Sequence, residues 1–185
     1  MDKKKTVALY GGSFDPPHIG HERIVHALKE LPFIEKVIVM PTFLNPFKEN
    51  FTAKAEVRLK WLQKIFTSYN NVEVSPFEVE KKRKVPTIET VKFLLQSYEQ
   101  VYLVLGADNL KSLDKWYKFK ELKELVSFII VTRDDIEVPH NFHTLNVDID
   151  VSSSTLRKDL DITKLPKKCA KEIAQYYKEH NAKQN

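Results

Sequence analysis

This sequence predicts an α/β protein built on an open parallel sheet, and three observations carry that prediction. Short apolar runs alternate with helical periodicity along the whole chain. The first run, Val7-Ala8-Leu9-Tyr10, passes directly into a glycine turn and then into a helical pattern. The chain has only four glycines; Gly11, Gly12 and Gly20 lie in the stretch after that run, and Gly106 ends another apolar run. Ordinary turns are made without glycine elsewhere, so these positions are spent on a site.

The elements follow in order. Ile24, Val25, Leu28 and Leu31 form one face of the first helix, and Val37–Met40 is the second strand. Residues 41–51 are a loop, broken by Pro41, Asn45-Pro46 and Lys48-Glu49-Asn50. A long helix is expected over 53–69, carrying Ala55, Leu59, Leu62, Phe66 and Tyr69 at helical spacing. Val72–Val74 is a short third strand, and a loop over 75–86 leads into a helix bearing Ile88, Val91, Leu94, Leu95 and Tyr98. Val101–Leu105 is the fourth strand, residues 109–125 carry one or two short helices, and Phe128–Val131 is the fifth strand. Thr144–Val147 is a candidate sixth. Ser152 or Ser153 caps a short helix over 154–160, and the last helix, over 168–180, buries Ala170, Ile173, Ala174 and Tyr177. Residues 181–185 are expected to fray. With no repeat, low-complexity segment or linker, residues 1–185 read as a single domain.

Composition narrows the function classes. Hydrophobic content of 42% and charged content of 30% are those of a soluble globular protein. No apolar run approaches the roughly 20 residues of a membrane span, and the basic N-terminus precedes a strand too short for a signal-peptide core. A cytoplasmic location and no membrane partner are expected. Cys169 is the only cysteine, so an internal disulfide and a cysteine-based zinc site are excluded. The net charge of +5 fits an anionic ligand, a nucleic-acid surface or a solvated lysine-rich exterior. Lys81-Lys82-Arg83-Lys84 has no interleaved aromatics, and no nucleic-acid-binding pattern occurs.

The chemistry gathers in Gly11-Gly12-Ser13-Phe14-Asp15-Pro16-Pro17-His18-Ile19-Gly20-His21. A strand, a glycine turn and a helix entrance bring backbone N–H groups and a positive helix end to a phosphate. Polar residues after the other strand ends, Lys48, Asp108 and Arg133, would converge on the same rim. The P-loop, the dinucleotide fingerprint and the hydrolase serine elbow are absent. His18 and His21 are three apart and point the same way on a helical turn. They could begin a metal site with Asp15, but no Glu or third His stands at a matching position. Imidazoles over a glycine turn suit a phosphoryl group better, because they can donate to charge growing on its oxygens.

This stretch resembles the G-G-[ST]-F-D-P-x-H-x-G-H signature of the nucleotidylyltransferase superfamily. Over nearly its whole length the chain is similar to the bacterial nicotinate-nucleotide adenylyltransferase family. The further marks are Leu103-Val104-Leu105-Gly106-Ala107-Asp108, then Leu113 and Trp116, and Val151-Ser152-Ser153-Ser154-Thr155-Leu156-Arg157. The resemblance implies a Rossmann-like open parallel sheet of five to six strands with helices on both faces. It implies transfer of AMP from ATP to nicotinate mononucleotide, giving deamido-NAD and pyrophosphate, in NAD biosynthesis. Magnesium would accompany ATP, with no protein metal cage. His18, His21, Lys48 and Arg157 are the implied catalytic residues. Gly11, Gly12, Ser13, Phe14, Gly106, Asp108, Ser153 and Ser154 would bind ATP. Thr87, as the cap of its helix, Trp116, by stacking, and Arg133 would bind the pyridine nucleotide. Two positions depart from the family: Phe47 stands where a His often precedes the loop lysine, and Pro86 replaces an aromatic before Thr87. Phosphopantetheine adenylyltransferase shares the histidine and serine-arginine motifs, but Gly11-Gly12, Pro16-Pro17 and the Trp116 region favour the first reading. A regulatory nucleotide-binding module would not require both histidines, Lys48 and Arg157. A homo-oligomer is left open.

Overall fold

The computed structural model describes residues 5–132 and 138–182. Its core is a six-stranded sheet in the order β3-β2-β1-β4-β5-β6. The strands are β1 (Thr6–Gly12), β2 (Lys36–Pro41), β3 (Val72–Val74), β4 (Gln100–Gly106), β5 (Val126–Thr132) and β6 (His143–Asn146). Every pairing is parallel. From β1 the chain steps outward to β2 and β3, then returns to lay β4 on the other side of β1. This reversal opens a crevice beyond the carboxyl ends of β1 and β4, where open parallel sheets take their ligands.

The alternation in β1 shows why the sheet is covered on both faces. Ala8 and Tyr10 belong to one buried cluster, Val7 and Leu9 to the other. A strand with apolar side chains in both directions needs a layer on each side. The first layer holds α1 (Ile19–Lys29), α2 (Ala55–Phe66) and α7 (Ala170–Ala182), which insert Leu28, Leu62 and Ile173. The second holds α4 (Thr87–Leu94) and α5 (Phe119–Leu125), which insert Val91 and Leu122. Each such side chain, buried from water, stabilises the fold by about 1.5–3 kcal/mol.

The element boundaries differ from expectation in ways that have causes. Helix α2 starts at Ala55, not Ala53, and just ahead of it the Thr52 and Ala53 N–H groups donate to the Asp15 carboxylate. It stops at Phe66, short of Tyr69. The stretch over 75–86 is not all loop: it holds the one-turn helix α3 (Phe77–Glu80), too short to leave a periodic pattern. Residues 109–125 divide into a 3-10 helix, Ala107–Lys115, and α5, separated near Lys118 at φ 53. Ser152 is the cap of α6 (Ser153–Lys158), its hydroxyl accepting from the Thr155 N–H at 3.1 Å. Helix α7 runs two residues beyond the expected end at His180, to Ala182, and the rest of the tail expected to fray, residues 183–185, lies outside the described residues. Among the described residues no helix is long and apolar enough to cross a membrane.

Leu28 is fully buried at the centre of the first layer. Leu28→Ala is expected to lower unfolding free energy by about 2–5 kcal/mol. The control Ile162→Ala, 48% exposed, should change it by less than about 0.5 kcal/mol. Urea titrations of both variants check this.

Candidate active site

Between β1 and α1 the chain turns through a loop that the rest of the protein grips from below. Phe14 lies at φ 50, a left-handed conformation that costs a side-chain-bearing residue roughly 1–2 kcal/mol. Its buried ring offsets this by packing edge-on against Tyr10 (5.5 Å between centroids) and His21 (4.8 Å). The next residue, Asp15, is buried and accepts from the backbone N–H groups of Thr52 (2.8 Å) and Ala53 (2.9 Å) and from the Tyr177 hydroxyl of α7. Burial, and then the Asp15 charge, push the Tyr177 hydroxyl upward, so it stays a donor. Arg58 of α2 is 1% exposed. Its guanidinium donates to the carbonyls of Ala53 (2.9 Å), Ser13 (2.6 Å), Thr42 (2.9 Å) and Phe43 (2.9 Å). Burial depresses the Arg58 guanidinium, and the opposing charge of Asp15 counters this.

The held loop delivers the two imidazoles. His18 is the N-cap of α1, and its backbone N–H donates to His21 Nδ1 at 3.0 Å. A neutral His21 therefore carries its proton on Nε2, where it can serve as a donor. The rings stack at 3.6 Å between centroids. Gly20 makes this arrangement fit: a Cβ there would lie 2.6 Å from Ile149 Cγ2 and 3.0 Å from the His18 ring.

Cations collect on the same loop. Arg157 of α6 donates to the Asp15 carbonyl and, at 3.2 Å, to the Ser154 hydroxyl. Ser153 donates to the Pro16 carbonyl at 2.8 Å. Helix α6 is thus tied to the backbone of the glycine loop although it lies far along the chain. Lys48 shares a small hollow with Ser13, Asp15 and Arg58. Its ammonium is pushed below the usual lysine range by burial first and by the Arg157 charge second. Two cations that feel each other across a rim favour an anion placed between them.

Two cavities flank this rim. One, of about 240 Å³, is lined by Gly11, Gly12, Thr42, Glu78, Thr87 and Trp116 among others. The second, of about 350 Å³, is lined by Asp108, Val131, Ile149 and Ser152. Both include Tyr10 and Gly106, so the carboxyl ends of β1 and β4 form the divide. Two buried polar atoms without a partner, Thr42 Oγ1 and Trp116 Nε1, belong to residues that line the first cavity. Polar atoms left so are costly unless a ligand completes them. A Cβ on Gly11 would meet only the Met40 carbonyl oxygen, at 3.8 Å. The protein therefore leaves the space above that glycine free.

Most expected site residues meet here. Gly11, Gly12, Thr87 and Trp116 line the first cavity, Asp108 the second, and Gly106 both. His18, His21, Lys48 and Arg157 all lie on or against the glycine loop. One expectation needs adjustment. Thr87 does not cap its helix: Pro86 is the N-cap, Thr87 the first helical residue, and no side chain caps the end. The Ser153 hydroxyl donates to the Pro16 carbonyl, the Phe14 side chain is buried, and Ser154 is exposed beside Arg157. Arg133 lies outside the described residues. Sequence reasoning missed Arg58 and Tyr177, which read as ordinary helix residues, and Thr42 and Glu78. The direct succession of Thr42 to β2 was the available signal for that residue.

Comparison with known proteins identifies the family. Residues 9–159 match the cytidylyltransferase-like family model. A protein of Sulfurimonas denitrificans described as a probable nicotinate-nucleotide adenylyltransferase is 58% identical over 178 residues, 96% of this chain and 98% of that one. One of the same description from Campylobacter fetus is 45% identical, covering 96% and 99% of the two chains. The fold is similar to that of Plasmodium falciparum nicotinic acid mononucleotide adenylyltransferase complexed with NaAD. The TM-score is 0.72, with 22% identity over 96% of each chain.

The grip of Arg58 generates a prediction. Arg58→Ala leaves four carbonyls without their donor and should destabilise by about 3 kcal/mol or more. Arg58→Lys should recover little of it, because an ammonium cannot reach four separate acceptors in one plane. Denaturant unfolding of both variants measures this.

Proposed function

This chain belongs to the cytidylyltransferase-like family and, within it, to the nicotinate-nucleotide adenylyltransferases, and on that premise we propose that it joins the adenylyl group of ATP to nicotinate mononucleotide. The observation that carries the reading is the pair of cavities sharing Tyr10 and Gly106. A dinucleotide-forming enzyme needs a pocket for each base and a common line on which their phosphates meet. We assign adenosine to the cavity of Asp108 and Ser152, and the pyridine to that of Thr87 and Trp116.

An oxygen of the mononucleotide phosphate attacks the α-phosphorus of ATP. The bond to the bridging oxygen breaks, and its electron pair leaves with pyrophosphate. No side chain forms a covalent bond; the protein contributes position and charge. His21 Nε2–H is the donor to the transferring phosphate, His18 stacks on it and fixes the entrance of α1, and Lys48 with Arg157 flanks the leaving group. Gly11 and Gly12 let backbone approach the phosphates. Magnesium enters with ATP in this reading. Among the described residues no three His, Cys, Asp or Glu side chains are grouped to hold an ion, so this donor set suits a cation carried by the phosphates and water. Bound there, it neutralises phosphate charge.

Pyrophosphate release from ATP, with nicotinate mononucleotide, its amide analogue or phosphopantetheine as acceptor, tests the reading. Turnover with a pyridine mononucleotide is expected; turnover with phosphopantetheine alone refutes it. His21→Ala should reduce kcat by about a hundredfold or more with ATP affinity largely kept. A near-normal kcat in that variant removes His21 from the mechanism.

A further inference from the structure

The acceptor cavity contains a carboxyl group that the mechanism above does not use. Glu78 of α3 is 6% exposed. Its Oε1 accepts from the Thr90 hydroxyl of α4 at 2.6 Å, and the residue lines the cavity beside Thr87 and Trp116. Among the described residues no lysine, arginine or histidine lines that cavity, and Glu78 is the one acidic residue that does. Burial raises its pKa to about 7, and the charge of Glu89 adds to the rise against the opposing Thr90 hydrogen bond. Glu89 is itself paired with Arg83 at 2.6 Å. The other ionisable groups nearby among the described residues are Tyr10, on the cavity wall from β1, exposed Glu80, Lys81 and Lys82 around its own helix, and Lys84, whose ammonium donates to the carbonyl of the lining residue Pro46 at 3.3 Å.

Among the described lining residues, an acidic ring substituent entering this space meets the Glu78 carboxyl and no cation. Two like charges in a half-buried pocket cannot both persist cheaply, so one must be neutral. We propose that ionisation of Glu78 disfavours a pyridine carboxylate in this cavity, so that Glu78 makes the preference for an acid over an amide acceptor depend on pH and the preference weakens as Glu78 ionises. Protonated, its hydroxyl can donate to a carboxylate; ionised, it repels the acid but can accept from a carboxamide N–H. This inference rests on the proposed adenylyl transfer and goes further, to the residue that makes the choice of acceptor depend on pH. The same raised pKa has a consequence for the fold. The protonated form is favoured on folding, so Glu78's stabilisation is complete below the ordinary carboxylate pKa of 4.5 and lost as pH rises through about 7.

The test is the ratio of kcat/KM for nicotinate mononucleotide to that for its amide, measured across pH by pyrophosphate release. Both acceptors carry the same phosphate and use the same histidines, so titration of those groups cancels in the ratio. In the wild-type protein the ratio should fall about tenfold or more between about pH 6 and pH 8.5. Glu78→Gln, which keeps an acceptor for Thr90, should give a flat ratio and exceed wild type on the acid at the higher pH. Thr90→Val removes the bond that favours the ionised form, so the fall should move to higher pH. Calorimetric binding of nicotinate mononucleotide in two buffers should show proton uptake that is absent in Glu78→Gln. A flat wild-type ratio, or a fall that persists in Glu78→Gln, overturns the role of Glu78 while adenylyl transfer stands. Absence of turnover and of acceptor binding in the wild-type protein sinks the proposed function and this inference together.

Discussion

One buried guanidinium holds the site in shape. Arg58 gathers carbonyls from the glycine loop, from the segment after β2 and from the entrance of α2. Asp15 collects the complementary donors, the Thr52 and Ala53 amides and the Tyr177 hydroxyl. Three parts of the chain that never pair as strands are therefore locked into one rim. Polar backbone at the end of a sheet has no ladder to satisfy it, and these two side chains supply the missing partners. The left-handed Phe14 and the imidazole pair are then held in place by their surroundings, as strained functional loops require.

The rim is pre-formed and charged, which suits a reaction in which the protein contributes no bond. Much of the catalytic value of such a site lies in donors that need not move as charge develops. The Nδ1 of His21 is occupied by the His18 backbone amide, so the ring presents a fixed face. Lys48 and Arg157 hold like charges near each other, an arrangement that costs energy in the free protein and that an anion between them would relieve. Helix α6, which carries Arg157, is fixed by hydrogen bonds to the loop itself, so the placing of that cation and the loop geometry are parts of one construction.

Much of this was legible in the sequence, for specific reasons. Alternation of apolar runs and helical faces predicts the parallel sheet, and the rarity of glycine points to the loop. The resemblance of residues 11–21 and 151–157 adds the cations. Short or capped structure was less legible. Helix α3 has a single turn and no period, so Glu78 read as one charge among lysines. Thr87 looked like a cap because threonine favours that position, but Pro86, with its fixed φ near −65, takes it instead. Arg58 and Tyr177 were invisible as polar anchors because their partners are backbone groups and a residue 162 positions away. Sequence spacing carries no record of such partners.

A structure of the protein with deamido-NAD bound tests the central claim most directly. The two-cavity account predicts the pyridine beside Thr87 and Trp116, the adenine beside Asp108 and Ser152, and the diphosphate crossing between them at His21. Both bases in a single cavity, or a diphosphate remote from His21, would contradict it.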